Sequence, residues 1–358
     1  MSQASTKTLM VMAGGTGGHV YPAMAVADYL KAEGWSIVWL CTEGGMENRL
    51  IEGKGYDKAM IHMQGVRGKG LLGWLLLPLK LAKAFAESRA AIKAYQPHVV
   101  LGMGGFAAFP GGVMARLMGK PLVIHEQNSV AGLTNKVLAK FASRVLAAFP
   151  AAFGKKASLV GNPVRAEITQ LPAPEVRFAG RDGALRLLVV GGSLGAQALN
   201  EFLPQALAKL PQEARPLVVH QAGVKHIDAL KAHYEQTGVA AEALAFIEDM
   251  AGMYAWADFV ICRSGALTVA EVSAVGIGAL MVPFPFAVDD HQTTNAAYLA
   301  EAGAAILLQQ KDLTVNRLAE ILTNLNREAC ITMAQKARAL GKPDATASVA
   351  EVCKELAK

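Results

Sequence analysis

The sequence predicts an α/β protein of two doubly wound parallel-sheet domains facing a cleft, and three observations carry that prediction. Short apolar runs alternate with helical stretches along the whole chain of 358 residues. Glycine-rich turns follow several of those runs in both halves. Gly and Pro gather mid-chain, from Gly161 and Pro163 to Pro172 and Pro174, as a domain boundary requires. Length by itself suggests two domains.

In the first half the strand-like runs are 8–13, 36–41, 59–62, 98–102, 121–124, 144–147 and 158–160. In the second they are 186–190, 216–220, 243–246, 259–263, 278–282 and 304–308. Most are short, apolar and bounded by Gly, Pro or polar residues, which suits strands buried on both faces. Helical stretches such as 22–33 and 198–210 lie between them, and the tail after Pro343 reads as one more amphipathic helix. Sheets built this way bind ligands at the carboxyl ends of their strands.

Composition narrows the class. With 53% hydrophobic and 18% charged residues, the chain can fill large cores and is too apolar for disorder. No basic segment followed by an apolar one opens the sequence, so no signal peptide is expected. The apolar run 71–79 is nine residues long, contains Gly73 and Pro78, and is too short to span a bilayer. Cys41, Cys262, Cys330 and Cys353 are widely separated, which suits a reduced, cytoplasmic protein. Residues 1–164 hold 18 Lys and Arg against 8 Asp and Glu, whereas 165–358 hold 17 against 21. The basic first half should meet something anionic.

Five motifs fall at predicted strand ends. Gly14-Gly15-Thr16-Gly17-Gly18-His19 follows the first strand and precedes a helix opened by Pro22. Glycines there let backbone N–H groups reach a phosphate, and a helix start adds partial positive charge. Gly102-Met103-Gly104-Gly105-Phe106 and Gly191-Gly192-Ser193-Leu194-Gly195-Ala196 repeat the pattern, the latter with a serine donor. Arg263-Ser264-Gly265-Ala266-Leu267-Thr268-Val269-Ala270-Glu271 should open a helix with Ser264 as N-cap. Glu271 could take the two hydroxyls of a ribose, or be an ordinary exposed helix carboxylate. Asp289-Asp290-His291-Gln292-Thr293-Thr294-Asn295 suits the hydroxyls of a sugar, or is a polar helix cap led by Asp289 or Asp290.

Other chemistries fit less well. Gly102, Gly104 and Ala107 match a dinucleotide spacing with Glu126 about 20 residues on, but on a late strand rather than the first. No zinc-like His/Cys spacing, no bridging Asp-x-Asp and no P-loop is present, so neither metal nor cofactor is expected. Nucleic acid is disfavoured, since only Trp74, Phe85 and Tyr95 are interleaved with the basic segment.

The motifs at 14–19, 102–105 and 191–196, with His125-Glu126-Gln127-Asn128, Gly161-Asn162-Pro163-Val164-Arg165 and the two C-terminal motifs, resemble the MurG family in content and order. The likeness covers essentially the whole chain. It implies a GT-B arrangement of two Rossmann-like domains, the first at 1–163 with about 341–358 returning to it, the second at 164–340. It implies transfer of N-acetylglucosamine from UDP-N-acetylglucosamine to an undecaprenyl-diphosphoryl-muramyl-pentapeptide, for peptidoglycan and cell-wall synthesis. By the same resemblance Ile247 contacts uracil, with Met250 and Arg263 nearby. Ala266, Leu267 and Thr268, with Val269 and Ala270 following, hold the diphosphate, and Glu271 the ribose. Arg165 and Ser193 touch phosphate, and His291 and Gln292 the sugar. Thr16, Gly17, Gly18 and Asn128 close over the sugar, while Gly14, Gly15, Gly104 and Gly105 suit the acceptor diphosphate. Leu194 stands where Gln is common.

Inverting transfer needs a base and charge stabilisation of the leaving group. His19 is the expected base and Glu126 the next candidate. A lipid acceptor also gives meaning to residues 67–93. Arg67, Lys69, Lys80, Lys83, Arg89 and Lys93 face one acid, Glu87, and Leu72, Leu75, Leu76 and Leu79 share a helical face. Such a segment suits reversible attachment to anionic lipid at the cytoplasmic face of the inner membrane; the alternative is a helix burying its leucines. A UDP-sugar epimerase and a nucleotide-sugar binding module are the competing functions.

Overall fold

The computed structural model describes residues 6–63, 77–192 and 195–358. The chain forms two compact units, Met1–Arg165 with Pro343–Lys358, and Ala166–Lys342. The first holds β1 (Thr8–Ala13), β2 (Ser36–Thr42), β3 (Asp57–Ile61), β4 (Val99–Gly104), β5 (Leu122–Glu126), β6 (Arg144–Ala147) and β7 (Ser158–Leu159). They pair in parallel in the order β3-β2-β1-β4-β5-β6-β7. The second holds β8 (Arg186–Val190), β9 (Leu217–Gln221), β10 (Glu242–Leu244), β11 (Phe259–Cys262), β12 (Gly278–Met281) and β13 (Ala305–Leu307). Their order, β10-β9-β8-β11-β12-β13, is also wholly parallel. Every predicted run is a strand.

Parallel strands bury both faces, and β1 illustrates why its sequence is apolar throughout. Leu9, Val11 and Ala13 point into one core with Val20, Ala23 and Ala27 of the helix Gly17–Ala32. Met10 and Met12 point into the other, with Ala84 and Ile92 of the helix Leu77–Tyr95. This is the two-residue alternation of a strand covered on both sides. In the second unit Leu187 and Val189 of β8 pack with Leu199 and Leu203 of the helix Gln197–Ala208.

One local expectation changes. The first helix begins at Gly17, so Pro22 lies inside it rather than opening it. The helix Leu77–Tyr95 turns Ala84, Ser88, Ala91 and Ile92 inward, while Leu79 is 70% exposed and Lys80 and Lys83 face solvent. Leu79 is therefore not a core leucine. Arg67, Lys69, Leu72, Leu75 and Leu76 lie outside the described residues. Among the described residues no helix is long and apolar enough to cross a membrane.

The last helix, Ala345–Leu356, packs on Gly17–Ala32 and places Val349, Ala350 and Cys353 in the first core. Thr346 also donates its hydroxyl to the Val164 carbonyl at 3.0 Å. The helix thus completes the first unit although it is last in sequence. Val349 is fully buried, so Val349→Asp should destabilise the first unit by roughly 3 kcal/mol or more. A lowered first transition in thermal or urea unfolding checks this.

Candidate functional site

In both sheets the strand order reverses once, between β1 and β4 and between β8 and β11. Crossovers leave in opposite directions there, which opens a crevice at the strand ends. The three glycine motifs and the Arg263-Ser264-Gly265 turn occupy those four strand ends.

In the first unit β4 carries one extra residue against β1: Met12 pairs with Gly102 but Ala13 with Gly104. This bulge brings the two loops together, and the Gly14 N–H donates to the Gly104 carbonyl at 3.3 Å. A Cβ on Gly105 would stand 2.5 Å from the Gly14 carbonyl oxygen, and Gly105 has φ +91°. Only glycine fits such an approach without strain. Gly15 and Thr16 are exposed, and Thr16 precedes the helix Gly17–Ala32 without a side-chain cap. First-turn N–H groups of that helix form an anion-attracting end.

His19 lies two residues into that helix and is half-buried. Its Nδ1 is 3.0 Å from the Gly14 carbonyl oxygen and 3.5 Å from Thr16 Oγ1. The ring lies against Gly104, where a Cβ would come within 3.0 Å of it. A carbonyl can only accept, so Nδ1 carries the proton and Nε2 the lone pair of the neutral ring.

Glu47 supports this loop, and nothing in the sequence distinguished it. It is fully buried, and its Oε1 accepts from the Thr42 N–H at 2.8 Å and the Thr42 hydroxyl at 2.6 Å. The Gly15 N–H points at Oε2 from 3.4 Å. A Cβ on Gly14 would sit 2.9 Å from its carboxyl carbon.

Glu126, at the end of β5, is a correction to the expected alternative base. It is 2% exposed, and its carboxylate accepts from Asn128 N–H at 3.0 Å, Gly132 N–H at 3.1 Å and Asn135 Nδ2 at 2.9 Å. Asn128 Nδ2 is a further donor at 3.4 Å. A carboxylate so engaged shapes the 127–132 turn and holds Asn128; it is no free proton acceptor, nor the ribose ligand of a dinucleotide site. Beside it, His125 is wholly buried and its Nε2 is 2.8 Å from the Gly161 carbonyl oxygen. Burial pushes its pKa down to about 4. The strand end and the Gly161-Asn162-Pro163 turn are thereby joined, and half-buried Arg165 follows at the end of the first unit.

In the second unit the loop after β8 turns at Gly192, φ +82°, and Gly195, φ +79°, before the helix Gln197–Ala208. A Cβ on Gly195 would lie 2.1 Å from the Ala222 carbonyl oxygen, beyond the end of β9. Ser193 and Leu194 lie outside the described residues. After β11, the helix Ala266–Val275 is capped by Gly265 and not by Ser264. With no side-chain cap, its first N–H groups, at Ala266, Leu267 and Thr268, make a second anion-attracting end. Ser264 is fully buried, and its hydroxyl makes no hydrogen bond among the described residues. Leu267, Thr268 and Ala270 are half-buried and Val269 is buried.

Glu271 is only 7% exposed and takes the Tyr254 hydroxyl at 3.1 Å, so it is not an ordinary surface carboxylate. Met250 opens the helix Met250–Trp256, capped by Asp249 through the Gly252 N–H at 2.8 Å. Arg263 also has a structural part. Its guanidinium donates to the Val282 and Pro283 carbonyls, both at 3.1 Å, and to Gln310 Oε1 at 2.7 Å. It fastens the end of β12 with three of its five N–H donors. Beyond β12, Gln292 Oε1 accepts from the Phe284 N–H at 2.9 Å, and His291 Nδ1 is 2.7 Å from the Val288 carbonyl oxygen. Asp289 and Asp290 have φ +53° and +48°, and Asp290 accepts from the Thr293 hydroxyl instead of capping the backbone. Among the described residues, no group of three or more His, Cys, Asp or Glu side chains could hold a metal ion.

Two wholly parallel sheets of this order, each with glycine loops and a helix start at its switch point, make the two Rossmann-like domains of the GT-B fold. Comparison with known proteins agrees. The glycosyltransferase family 28 N-terminal domain matches residues 9–147 and the family's C-terminal domain matches 186–352. The chain is 57% identical to the UDP-N-acetylglucosamine--N-acetylmuramyl-(pentapeptide) pyrophosphoryl-undecaprenol N-acetylglucosamine transferase of Thiobacillus denitrificans, over 99% of this chain and 100% of that one. It is 56% identical to the Dechloromonas aromatica protein of the same name, with the same coverage. Acinetobacter baumannii MurG, a crystal structure, superposes with a TM-score of 0.87 at 43% identity, covering 98% of this chain and 99% of that one. The chain belongs to glycosyltransferase family 28, among its MurG-type N-acetylglucosaminyltransferases.

Two buried histidines give this fold a defined acid response. Burial lowers His125 to about 4 and His220 to about 3. Unfolded imidazoles titrate near 6.5, so between these values the unfolded chain binds protons that the folded chain refuses. Stability is therefore full above about pH 6.5 and falls as pH drops toward 4, on the order of 2 kcal/mol per histidine by pH 5. Urea midpoints at pH 7.5 and 5 should show the loss, and His220→Gln should shrink the difference.

Proposed function

We infer that this chain transfers N-acetylglucosamine from UDP-N-acetylglucosamine to the 4-hydroxyl of lipid-linked N-acetylmuramyl-pentapeptide, the step that completes the disaccharide of the peptidoglycan precursor. The observation that carries this is the 57% identity to a transferase of that name across 99% of the chain.

The donor belongs to the second unit. The diphosphate meets the N–H groups of Ala266, Leu267 and Thr268, with the Ser264 hydroxyl, Ser193 and Arg165 as further donors. Glu271, held by Tyr254, takes the ribose hydroxyls. Ile247 contacts uracil through its carbonyl, since its N–H goes to Gln221 at 2.9 Å. Gln292 and His291 take the sugar hydroxyls. The acceptor diphosphate belongs to the N–H groups around Gly14, Gly15, Gly104 and Gly105, with Thr16, Gly17, Gly18 and Asn128 completing the sugar site.

In the reaction the muramyl 4-oxygen forms a bond to the anomeric carbon as the bond to the UDP oxygen breaks, with inversion. The hydroxyl proton passes to His19 Nε2, and the resulting imidazolium keeps its Nδ1–H on the Gly14 carbonyl. Helix start and backbone N–H groups stabilise the departing diphosphate. The exposed Leu79, Lys80 and Lys83, continuing the apolar-basic segment 67–76, attach the protein peripherally to anionic lipid at the cytoplasmic face of the inner membrane.

UDP release from UDP-N-acetylglucosamine in EDTA should depend on the lipid-linked acceptor and yield a β-1,4-linked disaccharide. His19→Ala should lower kcat by about 10²–10⁴-fold, with a small change in donor KM. Epimer formed without acceptor would assign an epimerase, and UDP binding without turnover a binding module.

A further inference from the structure

Gln221 stands at the carboxyl end of β9, the strand between β8 and β10 in the second sheet. On one rung of the ladder it pairs with Val190, the last residue of β8, and with Leu244, the last of β10. Its side chain is 3% exposed, and both ends of the amide are used. Nε2 donates to the Gly192 carbonyl at 3.0 Å, and Oε1 accepts from the Ile247 N–H at 2.9 Å. One amide therefore ties the glycine loop beyond β8 to the loop beyond β10.

The strand end carrying this amide is itself held rigidly. His220, on the opposite face, is buried with Nδ1 2.9 Å from the Tyr234 hydroxyl and Nε2 3.0 Å from Asn200 Oδ1. Asn200 Nδ2 in turn donates to the Ala222 carbonyl at 3.1 Å. Because these bonds fix the backbone on both sides of Gln221, its amide transmits position from loop to loop.

We propose that Gln221 is a positioning residue for the transfer reaction, setting the distance between the nucleobase loop at Ile247 and the phosphate loop at Gly192. This deepens, and rests on, the donor-site reading above. Its consequence is selective: a ligand that spans both loops, a nucleoside diphosphate, should depend on Gln221, whereas one that occupies only the nucleobase loop should not. An amide is required because the two partners are one acceptor and one donor. Leu, Met or Glu cannot serve both.

The test uses the full-length enzyme with Gln221→Met, Gln221→Glu and Glu271→Ala. Gln221→Met removes both bonds at nearly constant volume; Gln221→Glu keeps the acceptor for Ile247 and sets a carboxylate against the Gly192 carbonyl. Both should raise the donor KM and the inhibition constant of UDP about tenfold, with kcat, acceptor KM and the inhibition constant of uridine changed less than about threefold. Amide exchange at residue 247 should quicken in Gln221→Met, which loses the acceptor, and stay slow in Gln221→Glu, which keeps it, and this reads the bond whether or not turnover survives. A donor KM and UDP inhibition constant unchanged in both Gln221 variants, with Glu271→Ala raising the donor KM, overturns the positioning role alone. Equal losses for UDP and uridine also overturn it. A donor KM unchanged in Glu271→Ala overturns the donor-site reading, and the inference with it.

Discussion

Parallel strands can end together only if their crossovers pass over the faces of the sheet, and where those crossovers diverge the strand ends are left uncovered. Here that happens between β1 and β4 and between β8 and β11. The loops at such a point must come close without side chains in the way. Gly105 comes against the Gly14 carbonyl and Gly195 against the Ala222 carbonyl, and both have positive φ. Backbone N–H groups then become the binding surface, and the uncapped helices Gly17–Ala32 and Ala266–Val275 add their partial charge. The same geometry is thus used twice, once in each unit.

The side chains beneath those loops hold the geometry. Glu47 fills the space under Gly14, Glu126 gathers the 127–132 turn, Arg263 fastens the end of β12, and Gln221 spans two loops. Each is a polar group at a strand end or beside one, with hydrogen bonds made to backbone and, for Glu47, Glu126 and Arg263, to a neighbouring side chain as well. Buried polar groups persist only when so satisfied, and removing one leaves its partners unpaired. His19 differs: one ring nitrogen is fixed by Gly14 and the other is the one that carries the lone pair, an arrangement suited to moving a proton.

Strands and glycine loops were legible in the sequence because their causes are local. A strand buried on both faces is apolar at every position, as in Leu9 to Ala13, and a loop that receives phosphate is rich in glycine. Bracing residues were not legible, since their meaning lies in partners far along the chain. Glu47 in Met46-Glu47-Asn48-Arg49, and Gln221 at the end of its strand, belong to no motif that marks them. Glu126 reads as a candidate base because a carboxylate beside glycine loops suggests chemistry, whereas the N–H groups of the 127–132 turn and the Asn135 amide engage it. Ser264 looked like a cap, yet the chain turns one residue later, at Gly265, and leaves the hydroxyl buried beside the helix start. Of the apolar-basic segment, Leu79, Lys80, Lys83, Arg89 and Lys93 are exposed on the helix Leu77–Tyr95, and Arg67, Lys69, Leu72, Leu75 and Leu76 lie outside the described residues.

The central claim is that the donor diphosphate is held by the second unit, at the uncapped start of Ala266–Val275, and not by the glycine loop of the first. Amide hydrogen exchange with and without UDP, resolved to short peptides, tests it most directly. The account predicts protection at residues 246–249 and 264–268 with little change at 14–19. Protection at 14–19 with none at 264–268 would contradict it.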